Sequence, residues 1–161
     1  MFFTNAQFRM RNAGFTLLEM VMVLAVIAII SAISVSSFLR VNRDRAIITE
    51  TEKVLSLVGK ARSFTLAAKD GRAYGVHFEQ GKAVLFLGPT YNAATASNEA
   101  QVLNKEVRIS AISLAGGGSE VVFSKLTGTT AQSGTITLAL VNDASITKVI
   151  TIAATGIAYS N

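Results

Sequence analysis

Gly14-Phe15-Thr16-Leu17-Leu18-Glu19-Met20 opens the stretch that decides how this chain folds. From residue 15 to residue 39 the chain runs 25 residues with one charge, Glu19, and with neither glycine nor proline. As a helix that run spans roughly 37 Å at about 1.5 Å per residue, more than the ~30 Å hydrocarbon core of a bilayer. A helix apolar on every face needs apolar surroundings on every face. A chain of 161 residues has little interior with which to supply them, so lipid is the expected environment. A cleaved secretory signal is the competing reading, and Ser31-Ala32-Ile33-Ser34 has the small residues of a cleavage site. The apolar run, however, exceeds the roughly 7–15 residues usual for such signals.

The remaining composition narrows the function. The chain has no cysteine and one histidine, His77, which excludes disulfides, thiolate zinc sites, cysteine nucleophiles and multi-histidine metal sites. Mean hydropathy of +0.46 is high for a soluble domain, and residues 15–39 account for it. The net charge of +5 is also unevenly placed. Residues 1–14 hold Arg9 and Arg11 and no acid; residues 40–62 hold six basic residues against three acidic; residues 63–161 are nearly balanced, seven against six. A near-neutral C-terminal region leaves no electrostatic footprint for nucleic acid. Arg40, Arg43 and Arg45 are better placed to meet lipid headgroups or acidic neighbours.

A short basic leader ending in Gly14, followed at once by Phe15, Thr16, Leu17, Leu18, Glu19 and an unbroken apolar helix, resembles the class III signal of the type IV pilin superfamily, which includes the pseudopilins of type II secretion. The resemblance implies that a prepilin peptidase cuts between Gly14 and Phe15, that the new amino group of Phe15 is N-methylated, and that the apolar segment is kept. It further implies assembly into a helical filament through Glu19 and Thr16, with the Glu19 carboxylate neutralising the Phe15 amine of an adjacent subunit. Elementary energetics also single out Glu19. A lone carboxylate in a membrane helix costs roughly 2.5–3.5 kcal/mol on insertion scales, and the first helical turn is where the macrodipole favours an anion. The alternative is a glutamate snorkelling to the headgroups. Many relatives have a mid-helix Gly and a later Pro where this chain has Ala28 and Ser36, which implies a straighter helix here.

Past residue 39 an apolar stripe at Ile47, Thr51, Val54/Leu55, Val58, Ala61 and Thr65 continues the helix in amphipathic form, to about Ala68, where Asp70-Gly71 stops it. Beyond residue 70 short alternating runs separated by Gly, Asn, Ser and Thr predict strands: 74–79 and 83–87 as a hairpin across Gln80-Gly81, then 102–114, 120–124, 135–141, 147–153 and 157–159. Residues 88–100 read as a loop. The expected fold class is therefore α+β, a long N-terminal α-helix packed on an antiparallel β-sheet head. The segments are a leader at 1–14, a transmembrane or filament-core helix at 15–39, an amphipathic continuation at 40–69 and a β-rich head at 70–161.

In the head, the order Val121-Val122-Phe123, Gly128, Gly134 to Leu138, Val149 to Ile152 and Thr155-Gly156 resembles H-type minor pseudopilins and the related minor pilins of type IV pilus systems. That resemblance implies a minor subunit of the type II secretion pseudopilus, or alternatively a minor type IV pilin in pilus assembly, adhesion or DNA uptake. Its implied partners are the prepilin peptidase, other pilins or pseudopilins, an inner-membrane assembly platform and the lipid bilayer. The implied location is the inner membrane, single-pass, with the head in the periplasm or outside the cell. DNA capture is disfavoured because residues 126–161 hold one basic residue, Lys148, although Lys105 and Arg108 could converge in space. No catalytic, cofactor or metal pattern is present: His77 lies on the polar phase of a strand, and Gly116-Gly117-Gly118 lacks the lysine and helix of a phosphate loop. A non-enzyme without a cofactor is expected.

Overall fold

The computed structural model describes residues 14–161, the side chains of 33–41 excepted. The leader positions 1–13, with Arg9 and Arg11, lie outside the described residues, as do the side chains of Ser34, Ser36 and Arg40. The chain forms two compact units that divide between Arg40 and Val41, and one helix, α1 (Leu17–Leu66), contributes to both. The helix starts two residues later and ends two residues earlier than the apolar pattern predicts. Its end follows from backbone conformation: Ala68 (φ 49°) and Asp70 (φ 53°) are left-handed, and Lys69–Gly71 closes as a single 3₁₀ turn.

In the second unit, the C-terminal part of α1 lies on two four-stranded antiparallel sheets, where the sequence pattern had pointed simply to a sheet head. One sheet has the order β3-β2-β1-β5, the other β4-β6-β7-β8. Their strands are β1 (Tyr74–Glu79), β2 (Lys82–Leu87), β3 (Glu99–Val102), β4 (Val107–Leu114), β5 (Glu120–Val122), β6 (Gly134–Leu140), β7 (Thr147–Ile152) and β8 (Ala158–Ser160). The hairpin over Gln80-Gly81 pairs Glu79 with Lys82 and Tyr74 with Leu87, as the alternation required. β3 begins within the stretch expected to be loop. It is an edge strand exposed at nearly every position, so it carries no hydrophobic alternation to announce it.

One apolar cluster unites helix and sheets: Val54, Val58 and Ala61 of α1 are sealed against Val76, Phe123, Ile136 and Ile150. Polar contacts fix the docking. Thr65, fully buried, donates from Oγ1 to the Ala61 carbonyl (2.9 Å) and accepts the Tyr74 backbone N–H (2.9 Å), tying the helix to β1. Arg62 Nε donates to the Gly128 carbonyl at 3.2 Å, and Gly156 (φ 79°) crosses that same carbonyl so closely that a Cβ would lie 1.8 Å from it. Glu50 also faces inward on α1, 4% exposed, with Lys53 donating to Oε1 at 2.8 Å and Oε2 without a partner. Arg43 has found an acidic neighbour. The Asp143 carboxyl is held below its ordinary range first by the Ser145 hydroxyl and backbone N–H and then by the Arg43 charge.

Candidate functional site

The residues singled out by sequence, Gly14, Phe15, Thr16 and Glu19, are consecutive or one turn apart at the start of α1. Gly14, Phe15 and Thr16 precede the helix. Phe15 is 77% exposed, and a Cβ at Gly14 would meet nothing within 4 Å, so the Gly14–Phe15 peptide bond stands clear of the other described residues. Thr16 is the helix N-cap: its Oγ1 accepts the Glu19 N–H at 3.2 Å, and its carbonyl accepts the Met20 N–H at 3.2 Å. The spacing Thr16-x-x-Glu19 is a capping signature, a reading that the leader resemblance had left unused. The cap explains why the helix begins at Leu17 and leaves Phe15 outside it.

Glu19 therefore plays two parts in the geometry. Its backbone N–H completes the cap, while its carboxylate has no hydrogen-bond or ion-pair partner among the described residues. Around it Leu18, Met22, Val23 and Val26 line a shallow apolar groove along one helix face. The other faces are no more polar: Leu17, Leu24, Ile29 and Ile30 are each about 60% exposed or more (83%, 63%, 62% and 59%). Such a surface is not stable in water; burying each of these side chains is worth roughly 1.5–3 kcal/mol. Among the described residues, no helix is long and apolar enough to cross a membrane. The apolar run of the sequence continues past Ala32 into positions whose side chains lie outside the described residues.

Residues 9–35 match the family model of the prokaryotic N-terminal methylation motif. The solved structure of the type IV minor pilin FimU of Pseudomonas aeruginosa PAO1 superposes with a TM-score of 0.53 over 70% of this chain and 90% of that chain, at 15% identity. The fold is that of a type IV pilin. No curated protein matches the sequence. Gly14, Phe15, Thr16 and Glu19 all lie inside the segment that matches the methylation motif.

The head offers less chemistry. His77 is partly buried and stacked on Tyr91. Gly116 and Gly117 form a tight turn in which Gly117 N–H donates to the Leu114 carbonyl at 3.0 Å. Lys105 is exposed, whereas Arg108 is half-buried with its Nε shut off from solvent. Among the described residues, no three His, Asp or Glu side chains gather to hold a metal.

Proposed function

We propose that this chain is the precursor of a minor subunit of a pilin-type filament. In this reading a prepilin peptidase cuts between Gly14 and Phe15, Phe15 is N-methylated, and the apolar helix anchors the subunit in the inner membrane as a single pass before it enters the filament core. The observation that carries it is the coincidence, at one helix start, of the methylation motif, a Gly14–Phe15 bond that stands clear of the other described residues and, in the apolar first half of the helix, a carboxylate with no partner among the described residues. Glu19 then neutralises the Phe15 amine of a neighbouring subunit. That pairing offsets the cost of both charges in an apolar core and sets the axial register between helices. The head lies in the periplasm or outside the cell and makes head-to-tail contacts, the kind that generate helical filaments. An inner-membrane assembly platform and other pilins or pseudopilins are its partners; its own role is structural rather than enzymatic.

The strand and glycine order from 121 to 156 supports an H-type pseudopilin serving type II secretion. The likeness in fold to a type IV minor pilin supports the second reading, a minor pilin of a pilus. Deleting the gene and measuring exoprotein secretion beside surface pilus number separates the two. Loss of secretion with pili intact establishes the pseudopilin, the reverse establishes the pilus subunit, and no change in either refutes the filament role.

A further inference from the structure

The one histidine of the chain, His77, sits where β1 pairs with β5. His77 on β1 stands directly opposite Glu120 on β5, and its own strand carries Glu79 two residues on. The Nδ1 atom lies 3.9 Å from Glu120 Oε2 and 3.5 Å from Ser119 Oγ; the Nε2 atom lies 3.9 Å from Glu79 Oε1. Each ring nitrogen thus faces a different carboxylate. Lys82 on β2 is bound to Glu79 Oε1 at 3.2 Å. The His77 side chain is 18% exposed, Glu120 28% and Glu79 40%, so water screens these pairs only in part.

Upon this histidine rests the loop of residues 88–98 that joins β2 to β3. The Tyr91 ring lies flat on the imidazole, centroids 4.0 Å apart and planes within 10°, and meets Phe86 edge-on at 5.7 Å. The Tyr91 backbone N–H donates to Glu120 Oε2 at 3.1 Å, the oxygen that also faces His77. Phe86 can lie there because its cross-strand partner is Gly75, where a Cβ would come within 2.5 Å of the Phe86 ring. At the loop's start Gly88 N–H donates to the Ala73 carbonyl at 2.8 Å, and further on the loop is held by its own turns, such as Asn98 Nδ2 to the Asn92 carbonyl at 2.8 Å. Past that first backbone bond, Tyr91 carries the loop's aromatic contacts and a hydrogen bond to Glu120 onto the sheet.

We propose that protonation of His77 is a latch that fastens the 88–98 loop to the sheet. A neutral imidazole carries one N–H and can donate toward one carboxylate. The imidazolium carries two and is attracted by Glu79 and Glu120 together, while its charge lies under the face of the Tyr91 ring, where a cation is favoured. Acidification therefore tightens the loop, and raising the pH loosens it. Glu120 couples the two events, since the carboxylate that meets the imidazolium also holds the Tyr91 backbone.

Hydrogen exchange of the full chain in detergent micelles, followed by mass spectrometry and corrected for intrinsic exchange rates, tests the latch between about pH 8 and pH 5. Peptides covering 88–98 should gain about three- to tenfold protection on acidification, the scale of two partly screened ion pairs, while peptides covering β6 and β7 stay level. His77→Gln should abolish the gain. Glu120→Gln, which keeps an oxygen for the Tyr91 N–H, should reduce it. A wild-type loop indifferent to pH, an undiminished response in His77→Gln, or a response shared equally by β6 and β7 would each overturn the proposal.

Discussion

Replacing Glu19 by alanine separates two effects that otherwise travel together. The helix cap does not depend on the glutamate side chain: Thr16 Oγ1 accepts the backbone N–H of residue 19, which alanine keeps. Helix propensity favours alanine slightly, so α1 should still begin at Leu17. What is lost is a carboxylate without a partner among the described residues, standing between Leu18 and Met20 on an apolar surface. Insertion scales give roughly 2.5–3.5 kcal/mol for a charge at the centre of a membrane helix, a ceiling for Glu19 in the first turn, where the macrodipole lowers the cost by up to about 1 kcal/mol. Membrane retention of the variant should therefore be favoured by at most about 2 kcal/mol over wild type, while its incorporation into filaments falls because the neighbouring Phe15 amine has lost its counter-charge. Carbonate extraction of membranes reads the first effect, and subunit content of sheared or purified filaments reads the second. Wild-type incorporation of Glu19→Ala would refute the reasoning, and so would a variant missing from the membrane fraction.

The helix–sheet junction gives further expectations. Thr65→Val keeps shape but leaves the buried Tyr74 N–H without an acceptor, and urea unfolding of the 41–161 unit should show a loss of about 1–3 kcal/mol. Gly156→Ala demands a Cβ 1.8 Å from the Gly128 carbonyl at a φ of 79°, and should cost about 3 kcal/mol or more in the same assay from overpacking and backbone strain together. The Tyr74 phenol is pushed from 10.0 to about 12 by its hydrogen bond to Asp70, by burial and by the Asp70 charge, in that order. Because the fold favours the protonated phenol, the stability it contributes is complete below about pH 10 and disappears as pH rises toward 12. Phenolate absorbance should show one tyrosine titrating late, and Asp70→Asn should bring it down.

How much of this could be read from residues alone depended on where each element meets water. The apolar helix was legible because Glu19 is the one charge in residues 15–39 and neither Gly nor Pro interrupts them, and the hairpin because Tyr74, Val76 and Phe78 alternate with smaller or polar neighbours. β3 was not, since a solvent-facing edge strand such as Glu99-Ala100-Gln101-Val102 needs no hydrophobic face. The division of the strands into two sheets depends on pairings such as Val76 with Val121 and Ile109 with Leu138, which no local pattern encodes. Glu50 was hidden for another reason: a carboxylate on the buried helix face contradicts the stripe that revealed its neighbours Ile47, Thr51 and Val54. At the site itself, residue identities were legible and their backbone roles were not. Thr16-x-x-Glu19 states a cap as plainly as it states a leader boundary, and only the geometry shows Thr16 closing the helix so that Phe15 stays free.

The intact mass and N-terminal peptide of the protein purified from membranes of a host that carries a prepilin peptidase test the central claim most directly. Removing the first 14 of 161 residues leaves a 147-residue chain. The account predicts that this chain begins at Phe15 with one added methyl group on its amine, and that the full-length precursor accumulates when the peptidase is absent. A membrane-bound protein that still begins at Met1 in the presence of the peptidase, or one cut near Ser31-Ala32 with the apolar helix discarded, would contradict it.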